Sequence, residues 1–446
     1  MRMTHSTKID TLIEARWVIP VEPANTVLPE HAIGIDKGVI KAILPIAQAQ
    51  SQFDPFERIT LDQHALIPGL INLHTHAAMT LMRGLADDLP LMEWLNNHIW
   101  PAENRHVDTN FVFDGTRLAC AEMLLGGITC FNDMYFFPEA AAEAVISTGM
   151  RASIGMIAID FPSAYASDTD DYLAKGLATR DKYKQHPGLS FCFAPHAPYT
   201  VNDKALTKIL TYAEQLNQPI HIHLHETQDE IRIGLETTGL RPIERLQRLG
   251  LLSPNLIGVH MVHLTDNEIS LISQQGCSVA HCPSSNLKLA NGLAPVAKML
   301  NCGINVGLGT DSAASNNRLD LFEEMRLAAL LAKAESGRAD VLTAHQGLHI
   351  ATLAGARALG LEQITGSLSV GKAADITAVD FSNINLAPCY DPVSHLVYTV
   401  GREHVSHVWV NGKMLVKDKH LTTLDTQELY HRAMFWQKRI GVTDNQ

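Results

Sequence analysis

The sequence predicts an α/β protein of eight short apolar strands alternating with helices, and three observations carry that reading. Near-continuous apolar runs fall at 66–73, 127–134, 151–159, 189–194, 219–224, 256–261, 276–281 and 304–310. Segments of helical periodicity separate them, among them 139–148, 203–217 and 318–335. The two chain ends have a different, broken β texture. Strands that are apolar throughout and separated by helices build a parallel sheet covered on both faces. Eight is the number that closes a (β/α)8 barrel. A doubly wound open sheet competes, and periodicity does not separate the two.

The ends justify a second element. Near the start stand TLIEARWVI and AIGIDKGVIKAIL; near the close stand GSLSVGKAADITAVD and HVSHVWVNGKMLV, the last with an Asn-Gly turn. Residues 1–66 and 365–446 therefore read as two parts of one small β-sandwich flanking a barrel at 67–364. Residues 425–439 read as a terminal helix.

Composition bounds the function. The 446 residues carry 35 Lys+Arg against 47 Asp+Glu, a net charge of −12. That balance argues against sequence-independent nucleic-acid binding, which needs a basic face. With 46% hydrophobic and 18% charged residues, the chain can bury a sizeable core. Seven cysteines without CxxC spacing make a disulfide framework or a cysteine zinc site improbable. The first residues lack the apolar core of a signal peptide, and no run approaches the roughly 18 apolar residues of a membrane span. The expectation is a cytoplasmic protein with no membrane partner.

The 22 histidines concentrate at strand ends, which in a barrel is where the βα loops build a site. His74 and His76, in PGLINLHTHAAM, share a face if the strand continues. In HIHLHE, spacing lets His221, His223 or His225 serve as a ligand, with a small lead for His223, and Glu226 stands at the strand end. His260, in GVHMVHL, ends the sixth strand, and His196, in FAPHAPYT, ends the fourth between two prolines. Asp311, in INVGLGTDSAASNN, follows the eighth. A lone Asp there also serves as a helix cap, and a lone His on an apolar strand is more often structural. Together, three imidazoles and a carboxylate suit Zn²⁺, with a position open for water. A bound ion lowers the pKa of that water from 15.7 to about 7. Metal-assisted hydrolysis or deamination is the leading reaction class.

These motifs, in this order, resemble the amidohydrolase superfamily: PGLINLHTH, HIHLHET, GVHMVHL and GLGTDSAASNN, with GKAADITAVD like its closing β-sandwich segment. HCPSSNLKLANG and LFEEMRLAALL are similar to the 5-methylthioadenosine/S-adenosylhomocysteine deaminases, a branch shared with triazine chlorohydrolases and guanine deaminases. The resemblance covers nearly the whole chain and implies the (β/α)8 barrel. It implies His74, His76, His223 and Asp311 as ligands to a single divalent ion, Zn²⁺ first, although Fe²⁺ or Mn²⁺ suits the same set. FAPHAP has no lysine where two-metal members carry one.

The implied reaction adds an activated water to C6 of an adenine ring. Asp311, helped by His260, takes the water's proton; Glu226 protonates ring N1 and assists ammonia's departure. His196 would bind ring N3, Glu103 the ribose hydroxyls, and Trp94 would pack near the sugar and its 5′-substituent. Where members that take S-adenosylhomocysteine place an arginine, five residues past the Arg of MRA, this chain has Met156. An uncharged thioether partner and no cation favour 5′-methylthioadenosine, with weaker action on S-adenosylhomocysteine or adenosine. The rivals are guanine or s-triazine chemistry of the same branch and, more remotely, a non-catalytic barrel scaffold. The partner is a small nucleoside, and an exposed barrel flank leaves room for a homo-oligomer.

Overall fold

The computed structural model describes residues 6–441. Four strands open the chain: β1 (Thr7–Val18), β2 (Leu28–Asp36), β3 (Val39–Pro45) and β4 (Phe53–Pro68). Eight follow that alternate with helices: β5 (Leu70–Thr75), β6 (Ile128–Asp133), β7 (Arg151–Ala158), β8 (Leu189–Pro195), β9 (Ile220–Leu224), β10 (Leu256–His260), β11 (Ser278–His281) and β12 (Asn305–Leu308). The last four are β13 (Ile376–Asp380), β14 (Val405–Val410), β15 (Lys413–Lys417) and β16 (His420–Leu421).

Strands β5 to β12 pair in sequential order, every pair parallel. A doubly wound sheet would reverse its strand order at a switch point; this one does not, and it curls into a barrel. Strands β5, β6, β7, β9, β10 and β11 are buried along their whole length. Both faces are covered, which is why these segments read as unbroken apolar runs. The ends of the row meet through Asp311 N, which donates to His74 O at 3.0 Å, and through Asn72. Asn72 accepts from Thr310 N at 3.0 Å and donates to Thr310 Oγ1 at 2.7 Å.

The other eight strands form one sheet in the order β16-β15-β14-β13-β4-β1-β2-β3. Both chain ends contribute, because β13 lies antiparallel on β4, with Ile376 opposite Pro68. The sheet bends back on itself: Ile40 N donates to Lys372 O at 2.9 Å and Ala374 N to Gly38 O at 2.8 Å. Ile13, Ile33, Ile35, Ile376 and Trp409 fill the space so enclosed.

One strand boundary departs from expectation. The run at 66–73 is not one strand but the end of β4, the single residue Gly69, and most of β5. Gly69 permits this close passage, since a Cβ there would lie 2.1 Å from Thr129 Oγ1. At this end of the barrel Arg151 Nε reaches Asp375 Oδ2 at 3.0 Å, both buried, and Thr377 Oγ1 donates to Gly127 O at 2.7 Å. The terminal helix, Thr426–Gly441, docks on the helix Thr109–Leu125; Asp114 accepts from Trp436 Nε1 at 2.8 Å and pairs with Arg432. Among the described residues, no helix is long and apolar enough to cross a membrane.

Candidate active site

At the other end of the barrel the strand-end histidines converge. His74, near the end of β5, and His76, just beyond it, face Asp311, which follows β12. Their Nε2 atoms lie 3.2 and 3.3 Å from Asp311 Oδ1. His223 on β9 completes a group in which one potential ligand atom per residue lies within 4.8 Å of every other.

Each remaining ring nitrogen is occupied, and that fixes which nitrogen faces the centre. His76 Nδ1 donates to Met134 O at 2.5 Å and His223 Nδ1 to His196 O at 2.7 Å. His74 Nδ1 lies 2.9 Å from His221 Nε2. Asp311 has a similar division: Ser285 Oγ and Ser315 Oγ donate to Oδ2 at 2.6 and 2.7 Å, leaving Oδ1 toward the imidazoles. Three imidazole nitrogens and one carboxylate oxygen, backed by hydrogen bonds on their far sides, fit one divalent ion.

Burial shapes the proton states. It drops His74 to about 4 and keeps His223 well below its usual value, so both offer lone pairs at neutral pH. At His76 burial acts the same way, but the hydrogen bond and charge of Asp311 and the Met134 carbonyl outweigh it and leave that imidazole raised. An ion binding there displaces that proton.

The backbone is bent to make this possible. His225, His260, Met261 and Asp311 have φ of 54°, 71°, 49° and 57°. Left-handed backbone at non-glycine residues is costly and concentrates at functional sites. Gly309 lets the approach to Asp311 pass beside β5, where a Cβ would lie 2.8 Å from His74 Cβ.

Glu226 stands beside the centre, with Oε1 2.9 Å from Asn291 Nδ2 and 3.7 Å from His260 Nε2. Burial raises its pKa, while His260 and Asn291 pull the other way. The neighbouring Glu230 carboxylate accepts from His225 N and Glu226 N at 2.8 and 2.7 Å, which pins the turn. His260 is oriented by Asn286, with Nδ1 2.8 Å from Oδ1.

Above these residues opens a cavity of about 370 Å³. Its lining includes His76, His196, His223, Glu226, His260 and Asp311 at the base, and Trp94 and Glu103 beyond. Glu103 accepts from Tyr135 Oη at 2.7 Å, and burial raises its carboxyl to about 7. His196 lies with Nδ1 3.0 Å from Thr200 Oγ1, and burial lowers it to about 3.

Nine of the ten residues singled out in the sequence thus meet at one mouth. The exception is Met156. It lies on the outward face of β7, against Gly176 of the helix Thr169–Tyr183, while Ile157 and Ile159 line the cavity. Successive strand residues point to opposite faces, and counting five from Arg151 lands on the wrong one. Sequence reasoning also passed over Ser285, Asn286 and Asn291, which orient Asp311, His260 and Glu226. Their signal was present in HCPSSNLKLANG, a stretch rich in small polar residues.

The chain matches the amidohydrolase family over residues 65–415 and belongs to it. It is 50% identical, over 98% of both chains, to the 5-methylthioadenosine/S-adenosylhomocysteine deaminase of Saccharophagus degradans. Its fold is similar, with a TM-score of 0.97 and 46% identity, to the crystal structure of an adenosine deaminase from Xanthomonas campestris with bound zinc, covering 98% of this chain and 100% of that one. An atrazine chlorohydrolase from Arthrobacter aurescens has the same fold at 24% identity and a TM-score of 0.89, covering 96% and 100%.

Proposed function

We propose that this chain is a metal-dependent hydrolase that converts 5′-methylthioadenosine and water to 5′-methylthioinosine and ammonia, with weaker action on S-adenosylhomocysteine or adenosine. The observation that carries the reading is the placement of Glu226 and His260 beside a four-ligand centre at the base of a cavity that also holds Glu103. The full-length likeness to 5-methylthioadenosine/S-adenosylhomocysteine deaminases supports the substrate class.

His74, His76, His223 and Asp311 would hold the ion, which would supply water acidified to a pKa of about 7. Asp311, helped by His260, would accept a proton from the attacking water as the C6–O bond forms. Glu226, biased toward its protonated form by burial, gives a proton to ring N1. It then assists departure of ammonia by taking the remaining hydroxyl proton as the C6–N bond breaks, while the proton held by Asp311 passes to the leaving nitrogen, so that both carboxyl groups return to their starting states. His196 suits ring N3: its Nδ1 is engaged by Thr200 Oγ1, and the ring lines the cavity. Glu103 accepts from ribose hydroxyls, and Trp94 packs against the sugar side.

The preference for a small uncharged 5′-group rests on the outer cavity wall and not on Met156. Trp100, Phe136, Phe137, Phe161 and Tyr165 form that wall, and no Lys or Arg is among the lining residues described. A homocysteine carboxylate would lose water there without gaining a cation. In this reading residues 67–364 form the catalytic barrel, with 1–66 and 365–446 as its accessory part. Seven unpaired cysteines support a reducing, cytoplasmic setting.

The test follows ultraviolet absorbance of the zinc-loaded protein with 5′-methylthioadenosine, S-adenosylhomocysteine, adenosine and guanine in parallel. Turnover of the nucleosides, fastest for 5′-methylthioadenosine, is expected. Activity on guanine alone discards the nucleoside assignment.

A further inference from the structure

We infer that Glu324 is a positioning residue for Asp311, acting through the two serines that hold that carboxylate. Glu324 lies on the helix Leu321–Ser336 and is 1% exposed. Its two oxygens point to two different segments. Oε2 accepts from Ser284 N at 3.0 Å, and Oε1 accepts from Asn316 Nδ2 at 2.8 Å. Ser284 adjoins Ser285, and Asn316 adjoins Ser315. Ser285 and Ser315 are the residues whose hydroxyls donate to Asp311 Oδ2.

The chemistry makes this a clasp with a purpose. Ser284 lies in the first turn of the short helix Pro283–Lys288, where amide groups have no intrahelical acceptor. Asn316 also donates to Thr310 O at 2.7 Å, tying the same loop back to the residue before Asp311. Glu324 thus draws together the short helix and the loop on either side of Asp311. With both segments held, both hydroxyls reach Oδ2, and Oδ1 alone faces the histidines. The same short helix carries Asn286, the partner of His260. Glu324 is not among the lining residues of the cavity, and among the described residues its carboxylate hydrogen bonds reach Ser284 and Asn316 and no metal ligand, so its influence on the reaction passes through these contacts.

This inference rests on the reading of Asp311 as ligand and proton acceptor, and the experiment separates the two. Glu324→Gln keeps the side chain's shape, but its amide nitrogen opposes one of the two donors. In the zinc-loaded protein kcat is expected to fall roughly 10–100-fold with KM little changed, and zinc is expected to pass to a chromophoric chelator faster by a similar factor. Ser315→Ala alone should do much the same. Adding Glu324→Gln to a protein that already carries Ser285→Ala and Ser315→Ala should cost little more, since both hydroxyls through which it acts are then gone. Losses that multiply in that combined variant overturn the inference, as does a Glu324→Gln protein with reduced thermal stability but unchanged kcat and zinc release. If Glu324→Gln does not fold, Asn316→Ala, which removes one of the two donors, carries the same cycle with the same readings. Zinc release reports on Asp311 even if the chain deaminates none of the nucleosides.

Discussion

The two ends of the barrel both bury charge, and they treat it in opposite ways. At the end facing the accessory sheet, Arg151 meets Asp375 at 3.0 Å and also donates to Pro187 O and Asn411 Oδ1. Asn411 N in turn donates to Asp375 Oδ1 at 2.7 Å. Every charge there has a partner of opposite sign, and the arrangement is closed. At the mouth, Asp311 and Glu226 are buried and Glu103 is half-buried, with neutral donors or imidazoles beside them, and each is left one side facing the cavity. A satisfied buried ion pair locks two bodies together, whereas a buried charge with an open side is a reagent.

Substitutions can break that comparison, and the largest effect should come from the centre itself. His223→Ala, or removal of the ion with a chelator, is expected to abolish turnover, with activity restored to the chelated protein by added Zn²⁺. Turnover that survives chelation would sink the metal reading. Next, Glu226→Gln is expected to lower kcat by roughly 10²–10⁴-fold without loss of bound metal, which stoichiometric metal analysis checks.

At the opposite end the loss should appear in stability and not in chemistry. Arg151→Met leaves Asp375 buried and unpaired and is expected to destabilise the fold by about 3–5 kcal/mol, read from denaturant midpoints, with kcat unchanged. Replacing both partners with apolar residues should recover most of that. A fall in kcat for Arg151→Met would erase the distinction between the two ends.

A smaller effect concerns Glu103. Removing a charged acceptor costs about 1.5–3 kcal/mol per hydrogen bond, so Glu103→Ala should raise KM for nucleosides about 10–150-fold and leave any free-base activity alone. The smallest is its pH dependence. With its carboxyl raised to about 7, Glu103 is protonated below that value and accepts poorly, so KM should rise as pH falls through 7. One group changes KM by at most about tenfold per pH unit. Its stability effect has the opposite sense: a carboxyl raised from 4.5 stabilises the native state most below 4.5, and that share is lost as pH rises through 7. A KM profile that Glu103→Gln leaves unaltered would assign the titration elsewhere.

What the sequence made legible follows from the range of the forces involved. Apolar runs and strand-end histidines are local signals, so seven of the eight strands fell near their observed positions. Spacing left His221, His223 and His225 open because it assumed a regular strand. His225 in fact leaves the strand with positive φ and donates from Nδ1 to His263 O at 3.0 Å, while His221 backs His74. Those outcomes depend on neighbours distant in sequence. Met156 failed through the pleat, and the partners of Asp311 and His260 were hidden because Ser and Asn are ordinary loop residues until something buried faces them.

The joint between β5 and β12 carries one more consequence. Among the described residues these two strands share no ladder and are held by Asp311 N, His74 O and the side chain of Asn72. His74 and His76 come from one side of that joint and Asp311 from the other. An ion gripped by all three therefore acts as a rivet across a closure whose halves lie 237 positions apart. Its binding energy enters the stability of the cylinder as well as the chemistry. The amides of Thr310 and Asp311 should exchange with deuterated water more slowly when Zn²⁺ is added, ahead of amides in the continuous wall.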